Sequence, residues 1–309
     1  MKIAIIGIGS VGAAVATAVA NTGLVREMVL FDRDGVRARA AAEDLGHAVA
    51  FSYDIKITAA NNYREIRGSD IVVIAAGANQ KPGETRTDLL AANVGVISDV
   101  VPRVMAHVDA RRVKLVIVTN PLDVMVMVAR DISKLPAERV IGTGTMLDSA
   151  RLRAILSRQL SVSTQSVNAY VLGEHGDSSV IAWSPATIGA VALDDFCRQV
   201  KVPLTAATRR TIEHRVRNAA YEIIRGRGAT WDGIGAAVAD LVRCIVNDER
   251  RILTVSIVDK FGTNMVAMSM PRIVGANGVY ASLMPRLCGD EMAALRRSAK
   301  TIKKNYDSI

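Results

Sequence analysis

Three glycines near the start of the chain constrain its fold more than any other feature. They form the pattern Gly7-x-Gly9-x-x-Gly12, which follows an apolar run at residues 2–6 and opens an Ala-rich stretch with helical character. Glycines at this spacing permit a tight turn, let the main chain approach a pyrophosphate and let a helix pack closely on a strand. The N-terminus of such a helix favours an anion. By itself, the pattern is only a weak signal of nucleotide binding.

A carboxylate twenty residues beyond the last glycine makes that signal specific. Asp32 lies at the end of the second apolar run, where it can accept hydrogen bonds from the hydroxyls of an adenosine ribose. Its negative charge would repel a 2′-phosphate, so the sequence predicts NAD rather than NADP. The neighbouring Arg33 is interpreted as a solvated surface cation.

Short β-branched runs alternate with helical patterns through the first part of the chain. Strands are predicted at residues 2–6, 28–31, 71–75, 115–118 and 140–141, and helices at 11–21 and 89–107. Apolar strands separated by helices are typical of a parallel sheet that is covered on both faces. The sequence therefore predicts the α/β class, with a doubly wound (Rossmann) NAD-binding domain over residues 1–142.

The pattern changes after residue 142. Helices are predicted at residues 147–160, 205–225, 234–247 and 291–304, and strands at 167–172, 180–183, 252–259 and 264–273, the last two antiparallel. Such a mixture indicates an α+β arrangement. We expect residues 143–309 to form a catalytic domain that binds the substrate.

Composition excludes several other classes of protein. The net charge is +9, but Lys and Arg are scattered and aromatic residues make up only 4%, so we expect no nucleic-acid partner. The three cysteines lie far apart without metal-ligand spacing, which predicts neither a metal site nor disulfides and fits a reducing cytoplasm. Glycines interrupt the one segment, residues 3–20, that resembles a secretory signal, and we expect no membrane span.

Polar residues suited to chemistry follow the predicted strands. Asp148 and Arg151 share one face of a predicted helix, an arrangement that also fits a plain salt bridge. His175 lies in the tight loop Gly173-Glu-His-Gly176 rather than on an apolar face.

The loop at residues 77–86 and Thr-Asn-Pro at 119–121 follow two strands of the predicted sheet, where ligands of doubly wound folds bind. A surface loop without function is the alternative for residues 77–86.

Taken together, these motifs resemble the L-lactate and L-malate dehydrogenase family, in order and over nearly the whole chain. The matching segments are the glycine pattern with Asp32, Gln-Lys-Pro-Gly-Glu-Thr-Arg at 80–86, Thr-Asn-Pro-Leu-Asp at 119–123, Ile-Gly-Thr-Gly-Thr-Met-Leu-Asp-Ser-Ala-Arg at 141–151, Gly-Glu-His-Gly-Asp at 173–177 and Gly-Ala-Thr at 228–230.

The resemblance implies a set of four catalytic residues. His175 would donate and accept the proton, and Asp148 would orient its ring and stabilise the imidazolium. Arg151 would bind the substrate carboxylate, for which a planar guanidinium is suited. Arg86 would polarise the ketone as negative charge grows on its oxygen. The implied reaction is reversible hydride transfer between NADH and a 2-oxo acid.

The choice of substrate depends on Gln80. Members of the family that use malate have an arginine there for the second carboxylate, whereas a neutral amide cannot compensate that buried charge. The resemblance therefore implies a monocarboxylic substrate, pyruvate and L-lactate, with Asn120 and Thr230 also in the substrate pocket. A hydroxyisocaproate-type or malate enzyme and a non-catalytic NAD-binding protein are the alternatives.

The resemblance also implies which residues contact NAD. Those expected to line the cofactor are Gly7, Gly9, Val11, Gly12, Asp32, Gly77, Ala78, Val118 and Thr143, with Arg37 and Tyr63 on the adenosine side.

Assembly and regulation are expectations from the family alone. We expect a homo-oligomer, with a tetramer favoured over a dimer, and, since the sequence starts at its first strand, no N-terminal arm of the kind that animal members have. Some bacterial members are activated by fructose 1,6-bisphosphate through an arginine and a histidine. Arg153 matches the arginine, but Asn168 stands where the histidine would be. We therefore expect weak or absent activation.

Overall fold

The structure is a computed structural model that describes residues 1–78 and 86–309, without the side chains of residues 86 and 87. The strands are β1 (Lys2–Ile6), β2 (Glu27–Phe31), β3 (Lys56–Ala59), β4 (Ile71–Ile74), β5 (Lys114–Ile117), β6 (Val140–Gly142), β7 (Val167–Leu172), β8 (Val180–Ile188), β9 (Val191–Ala192), β10 (Arg251–Phe261), β11 (Asn264–Gly275) and β12 (Gly278–Ser282). The helices are α1 (Ser10–Ala20), α2 (Gly35–Val49), α3 (Arg86–Met105), α4 (Leu122–Ser133), α5 (Met146–Leu160), α6 (Leu193–Gln199), α7 (Ala206–Arg227), α8 (Asp232–Val246) and α9 (Gly289–Tyr306).

Nine of the described strands form one sheet in the order β12-β11-β10-β6-β5-β4-β1-β2-β3. The six strands from β6 to β3 run parallel. The chain builds this part outward from β1 in one direction, then returns to start again at β4, which is the doubly wound order. The predicted α/β class and Rossmann sheet are confirmed. In such a sheet, ligands bind beyond the carboxyl ends of the strands on either side of the reversal.

Both faces of the parallel sheet are covered by helices. Side chains of β1 alternate between two apolar clusters: Ile3 and Ile5 pack with α1 and α8, whereas Ala4 and Ile6 pack with α3, α4 and α9. Each fully buried Ile contributes about 1.5–3 kcal/mol relative to an exposed one. This two-sided burial explains why the strands are almost entirely apolar in sequence.

Strands from the second half of the chain extend the same sheet. β10 pairs antiparallel with β6 where Ser256 lies opposite Gly142, and β10 and β11 form a long antiparallel pair. The antiparallel pairing expected for residues 252–259 and 264–273 is therefore present. The boundary predicted between residues 142 and 143 falls at the end of β6 and stays a prediction.

A smaller sheet, β7-β8-β9, packs against α5 and α7 through a third apolar cluster that includes Leu156, Val171, Trp183 and Val216. A bridge between Gly173 and Ser269 joins the end of β7 to β11 of the large sheet. The segment after β7 is thus fixed beside the large sheet. No helix in the part of the chain that the structure describes is long and apolar enough to cross a membrane.

Several elements were not predicted. α4 contains a short buried apolar run at residues 124–129, which periodicity alone does not distinguish from a strand. α2 is rich in charge and alanine, although its N-cap Asp34 accepts hydrogen bonds from two main-chain amides and was a usable signal. The remaining omissions are the short elements β3, α6, β9 and β12.

Candidate active site

His175 projects from an anchored loop at the end of β7. Gly173 exchanges two main-chain hydrogen bonds with Ser269 of β11, with N···O distances of 2.9 and 2.8 Å. Gly173 has a φ of +86°, and a Cβ there would lie 2.6 Å from Ser298 Oγ, so a larger residue would be strained. The amide of Glu174 also donates to Ser298 Oγ, at 2.8 Å. These contacts fix the main chain on the N-terminal side of the imidazole.

Asp148 connects this histidine with an arginine. His175 Nδ1 lies 2.7 Å from Asp148 Oδ2, and Arg151 Nη1 donates to Asp148 Oδ1 at 2.9 Å. Asp148 is in the first turn of α5 and only 12% of its side chain is exposed. Asp148 therefore uses one oxygen for each partner and orients both the imidazole and the guanidinium.

The pKa values of the pair follow from this contact. Burial lowers the pKa of His175, but the charge of Asp148 and its hydrogen bond outweigh burial and raise the pKa above 6.5. Burial raises the pKa of Asp148, but the charges and hydrogen bonds of His175 and Arg151 outweigh it and hold the pKa below 3.8. Asp148 is thus an anion near neutral pH, and the imidazolium form of His175 is stabilised. Such an imidazole can act as a general acid and base.

A second carboxylate, Asp123, contacts the main chain of the same histidine. It lies in the first turn of α4 and is 3% exposed. Its Oδ2 accepts from the His175 amide at 2.7 Å, and its Oδ1 accepts from Ser256 Oγ at 2.6 Å. Burial raises the pKa of Asp123 to about 6, partly offset by these two hydrogen bonds.

The glycine turn between β1 and α1 forms a cradle. Gly7 has a φ of +93°, and a Cβ there would lie 2.4 Å from Ala76 N, while a Cβ at Gly12 would lie 1.8 Å from Gly7 O. At Gly9, by contrast, a Cβ would meet no described atom within 4 Å. Gly9 is also the N-cap of α1, and no described side chain caps the helix. The first amides of α1 therefore face open space that suits a phosphate anion.

Asp32 is held beside this cradle at the end of β2. Its Oδ2 accepts from Ile8 N at 2.7 Å and its Oδ1 from Asp34 N at 2.9 Å. The half-exposed Arg37 approaches it, with Nη1 3.8 Å from Asp32 Oδ1. A buried carboxylate fixed in this way fits the ribose role expected from the sequence.

Other residues expected at the cofactor lie at the same edge of the sheet. Gly77 and Ala78 follow β4, Val118 follows β5 and Thr143 follows β6. Val11 is in the first turn of α1. Because the carboxyl ends of parallel strands share one edge, the sheet gathers these positions from distant parts of the chain. The residues expected to contact NAD are therefore gathered along one edge of the parallel sheet, and their contact with the cofactor stays a prediction.

Tyr63 lies in a 3₁₀ turn after β3, with its ring against Phe31 at a centroid distance of 4.2 Å. Burial raises the pKa of Tyr63 to about 12. Phe31 precedes Asp32 along the chain, so Tyr63 packs on the strand that leads into Asp32. Its contact with adenosine stays a prediction.

Two family models match the chain. Residues 1–142 match the NAD-binding domain of lactate/malate dehydrogenases, and residues 145–309 match the alpha/beta C-terminal domain of the same enzymes. The chain belongs to the lactate/malate dehydrogenase family. It is an NAD-dependent oxidoreductase, and NAD is its cofactor.

Relatives of known name cover almost the whole chain. The L-lactate dehydrogenase of Thermus aquaticus is 48% identical over 305 residues, which are 98% of this chain and 97% of that protein. The L-lactate dehydrogenase of Allorhizobium ampelinum is 45% identical with the same coverage. The crystal structure of the minor L-lactate dehydrogenase from Enterococcus mundtii superposes with a TM-score of 0.95 at 35% identity and covers 100% of this chain and 98% of that one.

Four residues expected in the substrate pocket of this dehydrogenase have no described contact that tests the expectation. Gln80 is outside the described residues, and Arg86 begins α3 but its side chain is not described. Asn120 is exposed in the turn between β5 and α4. Thr230 is half-buried between α7 and α8. Contacts of these four with substrate stay predictions.

The two residues considered for binding fructose 1,6-bisphosphate, Arg153 and Asn168, both form hydrogen bonds within the chain. Arg153 of α5 donates through Nε to Ser149 O at 3.3 Å. Asn168 of β7 donates to Thr187 Oγ1 and to Gly189 O, both at 3.3 Å. The expectation of weak activation stays a prediction.

Sequence reasoning missed three residues that organise this site. Asp123 and Ser256 meet behind His175, and Asn93 of α3 accepts from Ala78 N at 2.7 Å and donates to Asn120 O at 2.8 Å. Asn93 is 2% exposed, so it ties together the segments that follow β4 and β5. Usable signals existed, since Asp123 closes the Thr-Asn-Pro-Leu-Asp motif and Asn93 interrupts an apolar helix face.

Proposed function

We propose that the chain is an L-lactate dehydrogenase, which transfers hydride reversibly between NADH and pyruvate. The observation that carries the proposal is the buried Asp148, bonded on one side to His175 and on the other to Arg151. A proton donor and a carboxylate-binding cation held on one carboxylate suit a substrate with a carbonyl next to a carboxylate. The family and its NAD-binding domain support the same reaction.

His175 acts as the proton donor during reduction. When bound, NADH supplies the hydride that reduces the carbonyl carbon of pyruvate. The imidazolium of His175 donates its proton from Nε2 to the carbonyl oxygen, since Nδ1 is bonded to Asp148. Asp148 keeps its charge and stabilises the imidazolium before transfer. In the reverse direction, neutral His175 takes the hydroxyl proton of L-lactate.

Two arginines orient and polarise the substrate. Arg151 binds the substrate carboxylate through the guanidinium N–H groups that Asp148 does not occupy, which gives two parallel hydrogen bonds. Arg86, at the start of α3, stabilises the negative charge that develops on the carbonyl oxygen. Asn120 and Thr230 complete the pocket.

Gln80 selects a monocarboxylic substrate in this proposal. Its neutral amide leaves the second carboxylate of oxaloacetate without a cation, and an unpaired charge in a closed site costs several kcal/mol. The names of the relatives, which are L-lactate dehydrogenases, support this choice.

The residues proposed to hold NAD come from the ends of five strands. Gly9 and α1 bind the pyrophosphate, and Asp32 binds the adenosine ribose, with Arg37 and Tyr63 nearby. The positions proposed to line the remainder are Gly7, Val11, Gly12, Gly77, Ala78, Val118 and Thr143.

We also propose a cytoplasmic homo-oligomer, with a tetramer favoured over a dimer. Phe51 and Tyr53, which follow α2, expose 95% and 49% of their surface, an apolar patch that a second copy would cover. The three free cysteines fit a reducing compartment. Sedimentation of the purified protein tests the assembly.

The test of the function compares kcat/KM with NADH for pyruvate, oxaloacetate and 2-oxoisocaproate. We expect pyruvate to be preferred, and Gln80→Arg to move the preference toward oxaloacetate. Preference for another substrate in the wild type would overturn the substrate and keep the dehydrogenase mechanism. Failure to reduce any of the three would support a non-catalytic NAD-binding protein.

A further inference from the structure

We infer that Asp123 is a second positioning residue of the proton-transfer site, holding the His175 main chain while Asp148 holds the ring and adding its negative charge beside the imidazolium. This inference rests on the proposed function of His175. It concerns a residue to which the family resemblance assigned no role.

The geometry makes Asp123 a rigid support. Both of its oxygens are engaged, one by the His175 amide at 2.7 Å and the other by Ser256 Oγ at 2.6 Å. Asp123 belongs to α4, Ser256 to β10 and His175 to the segment after β7. A single carboxylate therefore ties together three elements that are distant in sequence, directly behind the proton donor.

The engaged group of His175 is its main-chain amide, so Asp123 acts on the position of the whole residue. Asp148 bonds only the ring, and a ring can rotate about its side-chain bonds. Fixing the amide limits where the imidazole can move as substrate enters. A displacement of about 1 Å at a reacting group costs about 10²-fold in rate.

Asp123 also contributes charge. The described groups that act on the charge of His175 are the anions Asp148 and Asp123 and the cation Arg151. The charge of Glu174 raises the pKa of Asp123, and the charge of Asp123 raises the pKa of the buried Arg272. Since the pKa of Asp123 is about 6, its carboxylate is ionised at neutral pH and favours the imidazolium. Removing that charge should lower the pKa of His175.

Asp123→Asn removes the negative charge of residue 123 while keeping its size and its two hydrogen-bonding positions. The amide oxygen can still accept from the His175 N–H, and the amide nitrogen can donate to Ser256 Oγ, so both contacts have a replacement. Glu291→Gln is the matched control: Glu291 is a buried carboxylate that accepts from Trp183 N and Ser184 N at 2.8 and 2.9 Å, away from His175. Any general cost of neutralising a buried carboxylate appears in both variants.

Two readouts test the inference. The first is the pH dependence of kcat/KM for pyruvate at saturating NADH. The second is the titration of the histidine Cε1 signals in ¹³C-labelled protein without substrate, where the four histidines give four signals and His175→Asn assigns one. We expect Asp123→Asn to lower the pKa of His175 by about half to one pH unit in both. We expect Glu291→Gln to leave that pKa unchanged.

Ser256→Ala provides a second route if Asp123→Asn does not fold. Loss of this hydroxyl donor makes Asp123 less anionic near neutral pH, so the pKa of His175 should fall in the same direction by a smaller amount. The inference is overturned if Asp123→Asn, or Ser256→Ala in its place, leaves the pKa of His175 where Glu291→Gln leaves it. Failure of the proposed function is distinguishable, because a wild type that does not reduce pyruvate still reports this pKa by NMR.

Discussion

The two ends of the proposed active site are built in different ways. At the nucleotide end, the structure uses the main chain and open space: Gly9 leaves room in front of α1, and Gly12 lets that helix approach Gly7. At the proton-transfer end, it uses side chains: Asp148 and Asp123 reach His175 from two helices that follow neighbouring strands. The nucleotide end depends on glycines that have no side chain, whereas the proton-transfer end depends on several side chains that contact one histidine.

Because the two ends are built differently, substitutions at each end should change different kinetic constants. A change at the nucleotide end adds bulk where the cofactor is proposed to bind, so it should weaken NADH binding and leave the proposed proton donor intact. A change at the proton-transfer end alters the charge around His175, so it changes turnover and its dependence on pH. Steady-state constants for NADH and pyruvate can therefore assign a residue to one end or the other.

The largest effect is expected at Asp148. Asp148→Asn removes the charge that keeps the pKa of His175 raised, and leaves burial, which lowers it. Less His175 is then protonated at neutral pH, and kcat/KM for pyruvate should fall by about 10²-fold, with the fall beginning at lower pH than in the wild type. The KM for NADH should change little.

Asp240→Asn is the control for this variant, since Asp240 also bridges two cations, Arg243 and Arg251, but lies away from His175. Its pH profile should match the wild type. If Asp148→Asn kept the wild-type profile, the proton-transfer end would not depend on this carboxylate.

A smaller and different effect is expected at Gly9. A Cβ at this position meets no described atom, so Gly9→Ala should fold with an unchanged Tm. The methyl group would enter the space in front of α1, and the KM for NADH should rise about 10-fold with kcat nearly unchanged. Gly12→Ala provides the contrast, because its Cβ would lie 1.8 Å from Gly7 O and should lower the Tm. An unaltered NADH affinity in Gly9→Ala would contradict the proposal that the glycine turn between β1 and α1 binds NADH.

The smallest effect is expected from fructose 1,6-bisphosphate. With Asn168 bonded to Thr187 and Gly189, only Arg153 of the expected pair is a cation. The KM for pyruvate should therefore change by less than about twofold on adding the bisphosphate. Asn168→His tests whether the missing histidine explains the weak activation, because this substitution supplies that histidine. A large fall in the wild-type KM would contradict it.

The same contrast explains what the sequence could and could not predict. The nucleotide end is encoded in a contiguous stretch, so residues 2–6 and the three glycines predicted β1 and its turn directly. The spacing of Asp148 and Arg151 placed both on one helix face, but His175 could be grouped with them only through the family resemblance, because no local spacing relates residue 148 to residue 175. Their contact depends on β7 ending beside α5 and on the bridge from Gly173 to Ser269.

Asp123 shows where prediction from sequence stopped. Its partner amide is 52 residues away and Ser256 is 133 residues away, and neither contact leaves a periodic pattern. α4, which carries Asp123, was also missed, because its short buried apolar run at residues 124–129 fits a strand as well as a helix.

The pH dependence of kcat/KM for pyruvate in the wild type, at saturating NADH, tests the central claim most directly. In the proposed mechanism protonated His175 is the donor, so kcat/KM should be constant at low pH and fall as pH rises through the pKa of His175. Because Asp148 raises that pKa, the fall should be centred above 6.5. A fall centred at or below 6.5, or a rate independent of pH across this range, would contradict the claim that His175, held by Asp148, donates the proton.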